Sequence, residues 1–372
     1  MPQNKVFVNI NSAAVSHNIK TFRGLISPKT RLFAVVKSNA YGHGLTLFSK
    51  LAEKNVDGFC VDSVVEGVKL REEGIKKSIL VLGPTFKNWL ETAAKNKITV
   101  TVSNFEALNE LVQSRFKPEF HLKIDTGMRR QGFYTEELQK ALRQIQNPKS
   151  KLQNNLKGVY THFASAKELN YPTITENQFI EFQKGIKLLE SAGYKNLVRH
   201  AAATGGSLLN PKYHLDAVRI GIGLYGLWPS GELMLQLPKI KLKPVLSWHA
   251  LVSEVKNLEP GDYVGYDLTE KIDAKGKMAV LPIGYWHGYP RALSGIGEVL
   301  IEGRKCRVLG RVSMDMIAVD VTGIKVARGT KATLIGRQKG EEITAYDLAR
   351  RMSASHYEVI TRINPLIERL VQ

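Results

Sequence analysis

Apolar positions over the first two thirds of the chain follow two alternating periods. Short runs rich in β-branched residues predict strands at 31–37 (RLFAVVK), 58–61 (GFCV), 78–83 (SILVLG), 98–102 (ITVTV), 119–125 (EFHLKID), 156–163 (LKGVYTHF), 197–202 (LVRHAA) and 217–226 (AVRIGIGLYG). Between them lie segments with apolar residues three and four apart, such as GLTLFSKLAEK, SVVEGVKLREEG, NFEALNELVQ and ITENQFIEFQKGIKLLESAG. These predict helices, with Ser63, Asn104 and Thr135 as polar caps. An earlier apolar run, VFVNI, leads into a helix that Asn11 or Ser12 can cap, with Val15, Ile19, Phe22 and Ile26 on one face. About eight β-then-α units suit a (β/α)8 barrel, whose usual size is roughly 250 residues. An open doubly wound sheet is the alternative, but no GxGxxG follows the first strand.

After about residue 235 the pattern changes. LPKIKLKP reads as a linker. Strand-like runs then follow, separated by glycine-containing turns: VLSWHALVSEV, KMAVLPIGY, EVLIEG, CRVLGRV, MIAVDV and KATLIG. One helical pattern, AYDLARRMS, comes near the end. The expected class is α/β: a barrel domain over 1–236 and a mostly β domain over 237–372, which the first strand, 6–10, can join.

Composition narrows the function. Lys+Arg 53 against Asp+Glu 34 gives +19 in a chain of 372 residues, 43% of them hydrophobic. Such a charge raises the question of a polyanion partner. The basic residues are scattered, however, with pairs such as Lys76-Lys77 and Arg350-Arg351 and no longer block. No aromatics interleave the densest stretches, so no nucleic-acid partner is expected. Cys60 and Cys306, the two cysteines, exclude a disulfide scaffold, and no Cys/His spacing suggests a metal. No run approaches the roughly 20 apolar residues of a membrane helix, and MPQNKVFVNI does not read as a signal peptide. A cytoplasmic enzyme without a membrane partner is the expectation.

Barrel enzymes carry their chemistry at the C-terminal ends of the strands. There the pattern places Lys37, Asp125 with Arg130 after it, His162, the Thr204-Gly205-Gly206 segment, and Arg219 with Gly221. After FAVV, Lys37 is either a snorkelling surface residue or a desolvated, nucleophilic amine.

KSNAYGHG, around Lys37, resembles the pyridoxal 5′-phosphate (PLP) lysine motif of the alanine racemase family. KIDTGMRRQGF, THFA, VRIGIGLYG, VGYDLT, PIGYWHGYPRALS, LGRVSMDM and HYEVITRI match that family in order and spacing, over nearly the whole chain. The resemblance implies interconversion of L- and D-alanine, supplying D-alanine for peptidoglycan. Lys37 would hold PLP as a Schiff base and serve as one base. Tyr266, given by the partner subunit of a homodimer with shared sites, would be the other. Racemisation removes a proton from one face of Cα and returns it to the other, so two flanking bases are a chemical requirement. Arg219 would face the pyridine nitrogen, and His162 would lie in a line from Arg219 to Tyr266. Tyr41, Thr204, Gly221, Ile222 and Tyr357 would hold the phosphate. Arg130 would hold the substrate carboxylate, with the N–H of Met314 contributing. Asp315 would shape the pocket and Tyr285 its entrance. Lys123 matches a position that carries a carbamate in some members.

Departures from the family pattern are visible. Ala203 stands where Asn is usual, Thr204 where Ser is usual, and Trp286-His287 where a small residue and Asp are usual. INPLIERLVQ lacks the usual closing arginine and tyrosine pattern. The alternatives are a PLP racemase of broader specificity (serine, lysine, arginine) and a barrel amino-acid decarboxylase.

Overall fold

The structure, a computed structural model, describes residues 4–167 and 172–372. The chain divides into two compact units. One comprises 13–40 and 45–243; the other comprises 1–12, 41–44 and 244–372.

Among the described residues of the first unit, eight parallel strands form one sheet. Along the sheet they run Val198–His200, Leu156–Tyr160, Phe120–Lys123, Thr99–Val102, Ser78–Pro84, Gly58–Val61, Arg31–Val35 and Ala217–Ile220. Neighbours are consecutive in sequence, and the last strand lies beside the first. This order belongs to a barrel and excludes a doubly wound sheet, whose order reverses. The seam between the last two strands is lighter than the others. It is an isolated bridge, Ala203 with Arg219, plus N–H groups of Asp216 and Arg219 donating to the carbonyls of Arg199 and Ala202 at 3.0 and 2.9 Å. Arg199 adds two bonds to the Asp216 carboxylate, at 2.6 and 3.0 Å. The barrel is nearly closed.

All eight expected barrel strands are present; Gly58–Val61 coincides with its expected run, Ser78–Pro84 is one residue longer, and the others are shorter. The strands stop at Val35, Lys123 and Tyr160, so Lys37, Asp125 and His162 lie just beyond them. Ser63 and Asn104 cap their helices, accepting the N–H of Glu66 and Ala107. Thr135 is not a cap. It opens a single tight turn, and the Glu137 carboxylate accepts the N–H of Tyr134 instead.

In the second unit, ten of the described strands form one sheet. Their order is Glu254–Leu258, Gly276–Leu281, Ile317–Asp320, Arg304–Leu309, Glu298–Ile301, Lys331–Gln338, Leu246–Leu251, Val6–Ile10 and Glu368–Val371, with Glu341–Ile343 also paired to Lys331–Gln338. Pairing is antiparallel except between Val6–Ile10 and Glu368–Val371. VLSWHALVSEV is two strands rather than one, broken at Val252-Ser253. The helical pattern near the end is not single either: Ala345–Arg351 is followed by a second helix, His356–Thr361. Among the described residues no helix is long and apolar enough to cross a membrane.

Candidate active site

Lys37 opens an unusual turn. Ser38, Asn39, Ala40 and Tyr41 all take left-handed backbone angles, with φ of 56°, 56°, 52° and 52°. Such residues cost roughly 1–2 kcal/mol each, so the surroundings must hold them. The N–H of Ser38 donates to Glu66 Oε1 at 2.7 Å, and that of Leu45 to Asn39 Oδ1 at 2.9 Å. The second oxygen of Glu66 accepts the N–H of Asp62, at 2.7 Å. One carboxylate thereby ties the loops after the first two barrel strands. Lys37 Nζ lies 3.6 Å from Asp62 Oδ1, with its side chain 37% exposed.

Asp125 organises the loop after the fifth strand. Its carboxylate accepts the N–H groups of Gly127, Arg129 and Arg130 at 2.9, 3.1 and 3.1 Å. The backbone of Arg130 is therefore fixed while its side chain stays exposed. Gly132 is required there, because a Cβ would sit 2.4 Å from the Asp125 nitrogen. Lys123 points into the barrel, where Nζ donates to Gln131 Oε1 at 3.0 Å and lies 5.4 Å from the Tyr160 ring centre. Burial, with the charges of Arg130 and Arg219 behind it, pushes this amine down to about 7.

Arg219 is the hub of the barrel interior. It is 2% exposed. Nη1 donates to His200 Nδ1 at 2.6 Å and to His200 O at 3.1 Å. Nη2 donates to the carbonyls of Thr161 and Ala201 at 2.7 and 3.0 Å, and approaches His162 Nδ1 at 3.4 Å. Each of these acceptors is neutral. Among the described residues no carboxylate pairs with Arg219. Burial lowers the guanidinium from its ordinary value. Burial first, then the Arg219 charge, holds His162 and His200 well below the ordinary histidine value, so both are uncharged.

Thr204 sits beside the same strand. Its hydroxyl oxygen accepts the N–H of Gly221 at 3.1 Å and of Gly223 at 3.3 Å, which draws Gly221 and Ile222 around it. All of these residues are buried.

In the β-rich unit, Tyr41 and Tyr357 face each other with ring centres 6.1 Å apart. Tyr266 lies in a turn between two short paired strands, Tyr263–Val264 and Glu270–Lys271, and is 68% exposed. Gly265, Asp267 and Leu268 in that turn have φ of 81°, 61° and 50°, and Arg311 pins Asp267 at 2.7 Å. Tyr285 and Met314 are exposed, and a second loop is stitched by N–H groups of Tyr285 and Trp286 donating to the carbonyls of Ser313 and Met314 at 3.0 Å each. Asp315 lies 3.9 Å from His287 Nδ1, which accepts the N–H of Gly284 at 3.2 Å. Burial lowers His287 in spite of Asp315. The C-terminal segment carries a different arginine device: Arg369 donates to four backbone carbonyls, among them that of Gly42.

The barrel thus gathers Lys37, Lys123, Arg130, His162, Thr204, Arg219, Gly221 and Ile222, while Tyr41, Tyr266, Tyr285, Met314, Asp315 and Tyr357 belong to the β-rich unit. Sequence reasoning did not single out His121, His200, Tyr160, Asp62 or Glu66. Glu66 had a readable signal, the S-x-x-E spacing from Ser63. Among the described residues no group of three or more His, Cys, Asp or Glu could hold a metal ion.

Comparison with known proteins gives a consistent answer. The alanine racemase N-terminal domain family matches residues 10–229, and the C-terminal domain family matches 245–371. The chain is 36% identical over 379 residues to the alanine racemase of Leptospira interrogans, covering 98% of this chain and 95% of that one. It is 39% identical over 370 residues to that of Listeria innocua, covering 98% and 96%. The crystal structure of alanine racemase from Bacillus anthracis with bound L-Ala-P superposes with a TM-score of 0.94 at 33% identity, covering 100% of this chain and 96% of that one. Two domain matches in the expected order and full-length likeness in both sequence and fold lead to one conclusion: the chain belongs to the alanine racemase family.

Proposed function

We propose that this chain interconverts L- and D-alanine with PLP as its cofactor, by a two-base proton transfer, and so supplies D-alanine for peptidoglycan. The observation that supports the reading most is Arg219, a buried cation surrounded by neutral acceptors only. The donor chemistry fits PLP: an amine at Lys37, a guanidinium without a carboxylate for the ring nitrogen, and the hydroxyl and N–H groups of Thr204, Gly221 and Ile222 for the phosphate. Tyr41 and Tyr357 keep the phosphate role that the family resemblance implies.

When bound, PLP acidifies the Cα–H bond of an amino acid joined to it by drawing electrons into its ring. Arg219 would stand as a cation against the ring nitrogen, which would disfavour protonation there, moderate that pull and so favour return of the proton to Cα over transamination. Lys37 holds or releases the proton on one face of Cα. Tyr266 of a second copy of the chain does so on the other. Arg130, its backbone fixed by Asp125, holds the carboxylate as a planar bidentate donor, with the Met314 N–H contributing. Asp315 shapes the pocket and Tyr285 its entrance. His162 lies against Arg219, and in the proposed reaction it would link that cation to the Tyr266 of the second copy.

A second copy is supported by exposed apolar side chains of the β-rich unit. Tyr263, Tyr266, Leu268, Trp286, Met314 and Met316 are 50%, 68%, 64%, 49%, 53% and 54% exposed. Large apolar side chains left in solvent are candidates for contact with another chain.

Circular dichroism of separate L- and D-alanine incubations tests the activity: both signals should decay to zero with PLP present. Silence on alanine with turnover of serine, lysine or arginine would replace this reading with the broader-specificity one. Mixing tests the shared site. Lys37→Ala and Tyr266→Phe should each lose at least about a hundredfold in activity. Reassociated together they should recover about a quarter of wild-type activity, because half the dimers are mixed and each mixed dimer has one intact site. No recovery would refute a site shared between copies.

A further inference from the structure

Behind the hub arginine lies a second histidine. His200 Nε2 is 2.8 Å from His121 Nδ1, and both rings are buried in the barrel interior. The hydrogens on this chain are fixed by elementary chemistry. A guanidinium only donates, so Arg219 Nη1, 2.6 Å away, makes His200 Nδ1 an acceptor. Burial and Arg219 hold His200 well below the ordinary histidine value and His121 down to about 3, so each ring carries one N–H. That hydrogen must sit on His200 Nε2, where it donates to His121 Nδ1. His121 is left with its own hydrogen on Nε2.

The seat of His121 is built for a ring. His121 pairs with Gly158 on the neighbouring strand. A Cβ on Gly158 would lie 2.5 Å from His121 Cε1 and 2.6 Å from Nδ1. His200 is stacked on Tyr160, with ring centres 4.8 Å apart and planes at 4°, and the Tyr160 hydroxyl bonds to Thr101 Oγ1 at 2.8 Å. His200 therefore has little freedom to turn.

We propose that His121 is a positioning residue of the active site: by accepting the His200 Nε2–H it supports the tautomer that Arg219 requires, and through His200 it holds the place of the Arg219 guanidinium. This rests on the reading that sets Arg219 against the cofactor ring nitrogen. Without an acceptor at His121 Nδ1, the His200 Nε2–H is buried without a partner. The ring can shift its hydrogen to Nδ1, where it meets the Arg219 Nη1 hydrogen, donor against donor. It can also rotate off Tyr160. Either response moves the guanidinium, which the carbonyls of Thr161 and Ala201 still retain.

The test contrasts two variants. In His121→Asn the Oδ1 atom falls near the former Nδ1 position and still accepts. His121→Phe keeps the ring and loses the acceptor. Simple packing ranks Phe above Asn, and the tautomer relay ranks Asn above Phe. The first readout needs no turnover: imidazole ¹⁵N–¹H correlation spectra of the full chain, before and after PLP is added. The wild type and His121→Asn should show His200 protonated at Nε2, and His121→Phe should not. The second readout is alanine racemisation. His121→Phe should lose about 10- to 100-fold in kcat with KM little changed, and His121→Asn less than about threefold. If His121→Phe does not fold, His121→Gln replaces it, since its polar atoms fall near Nε2 and leave the Nδ1 position empty. An unchanged His200 tautomer in the variant without the acceptor overturns the relay, as does a Phe variant more active than Asn. Failure of the wild type to racemise alanine would defeat the reading of the reaction, and the spectra would still decide the relay.

Discussion

The barrel interior and the Tyr266 turn are held in opposite ways. Inside the barrel, Arg219 is surrounded by its own chain, and each of its acceptors belongs to the same unit. At the Tyr266 turn the backbone is what is held. Arg307 pairs with Glu270 at 2.6 Å, the N–H of Gly310 donates to Glu270 at 3.2 Å, and Arg311 holds Asp267. The tyrosine side chain itself points into solvent. The first region is completed by its own unit, and the second leaves a side chain free to act elsewhere. In the proposed reaction, a preorganised cation would serve a fixed cofactor, while a rigidly displayed phenol would serve a site completed by another copy.

The sharpest way to break this contrast is to substitute one residue of each region. Arg219→Leu removes a donor that several buried acceptors need, and should cost about 3–5 kcal/mol of stability as well as activity. Tyr266→Phe removes an exposed hydroxyl. It should leave the denaturation midpoint nearly unchanged while lowering racemisation by about 10²- to 10⁴-fold. The loss should be greater for the proton step that starts from L-alanine. Urea denaturation and isotope exchange at Cα measure the two effects. A Tyr266→Phe protein as unstable as Arg219→Leu would erase the distinction.

A smaller effect comes from pH. His121, His162 and His200 are all held neutral beside Arg219. A histidine kept neutral when folded binds fewer protons than it does unfolded. Its contribution is intact above the unfolded value of 6.5 and is lost as pH falls toward the folded value, about 3 for His121. Stability should therefore drop below neutrality, by about 1 kcal/mol per such histidine near pH 5.5. Comparing denaturation midpoints at neutral and acid pH for wild type and His121→Asn isolates one share: the variant should lose less. An equal loss would show that His121 does not resist protonation.

The strands of the barrel were legible because each is a buried run of β-branched residues, GFCV being a case where strand and run coincide. Their ends were not, because Val36 and Ile124 prolong the apolar pattern past the last ladder bond. The break at Val252-Ser253 carries neither glycine nor proline, so the pattern reads straight through it. His356–Thr361 spans less than two helical turns, and Glu368–Val371 is partly exposed, so neither shows a period. The site divides similarly. Rim positions follow from strand ends plus the family resemblance. The His121–His200–Arg219 chain does not, because it depends on which residues share a layer inside the barrel, and strand stagger sets that. Only parity hinted at it: His121 and Lys123 are two apart in EFHLKID and face the same side.

That shared face leads to the mildest prediction, at Lys123. Burial and two nearby arginines bring its amine down to about 7, so much of it is uncharged at neutral pH. The neutral amine is the form that adds carbon dioxide. The N–C bond forms, the nitrogen gives its proton to water, and an anionic carbamate results. Such an anion would give Arg130 a counter-charge where a partly neutral amine otherwise stands. Bicarbonate should therefore lower KM for alanine by about two- to fivefold above neutrality, where the amine is free, and have little effect about one unit below. Lys123→Met should abolish the response, and ¹³C-labelled bicarbonate should give one protected carbamate resonance. The same KM with and without bicarbonate, together with no such resonance, would mean that Lys123 works as the unmodified donor to Gln131 that the structure shows. Arg130 would then be oriented by Asp125 through its backbone alone.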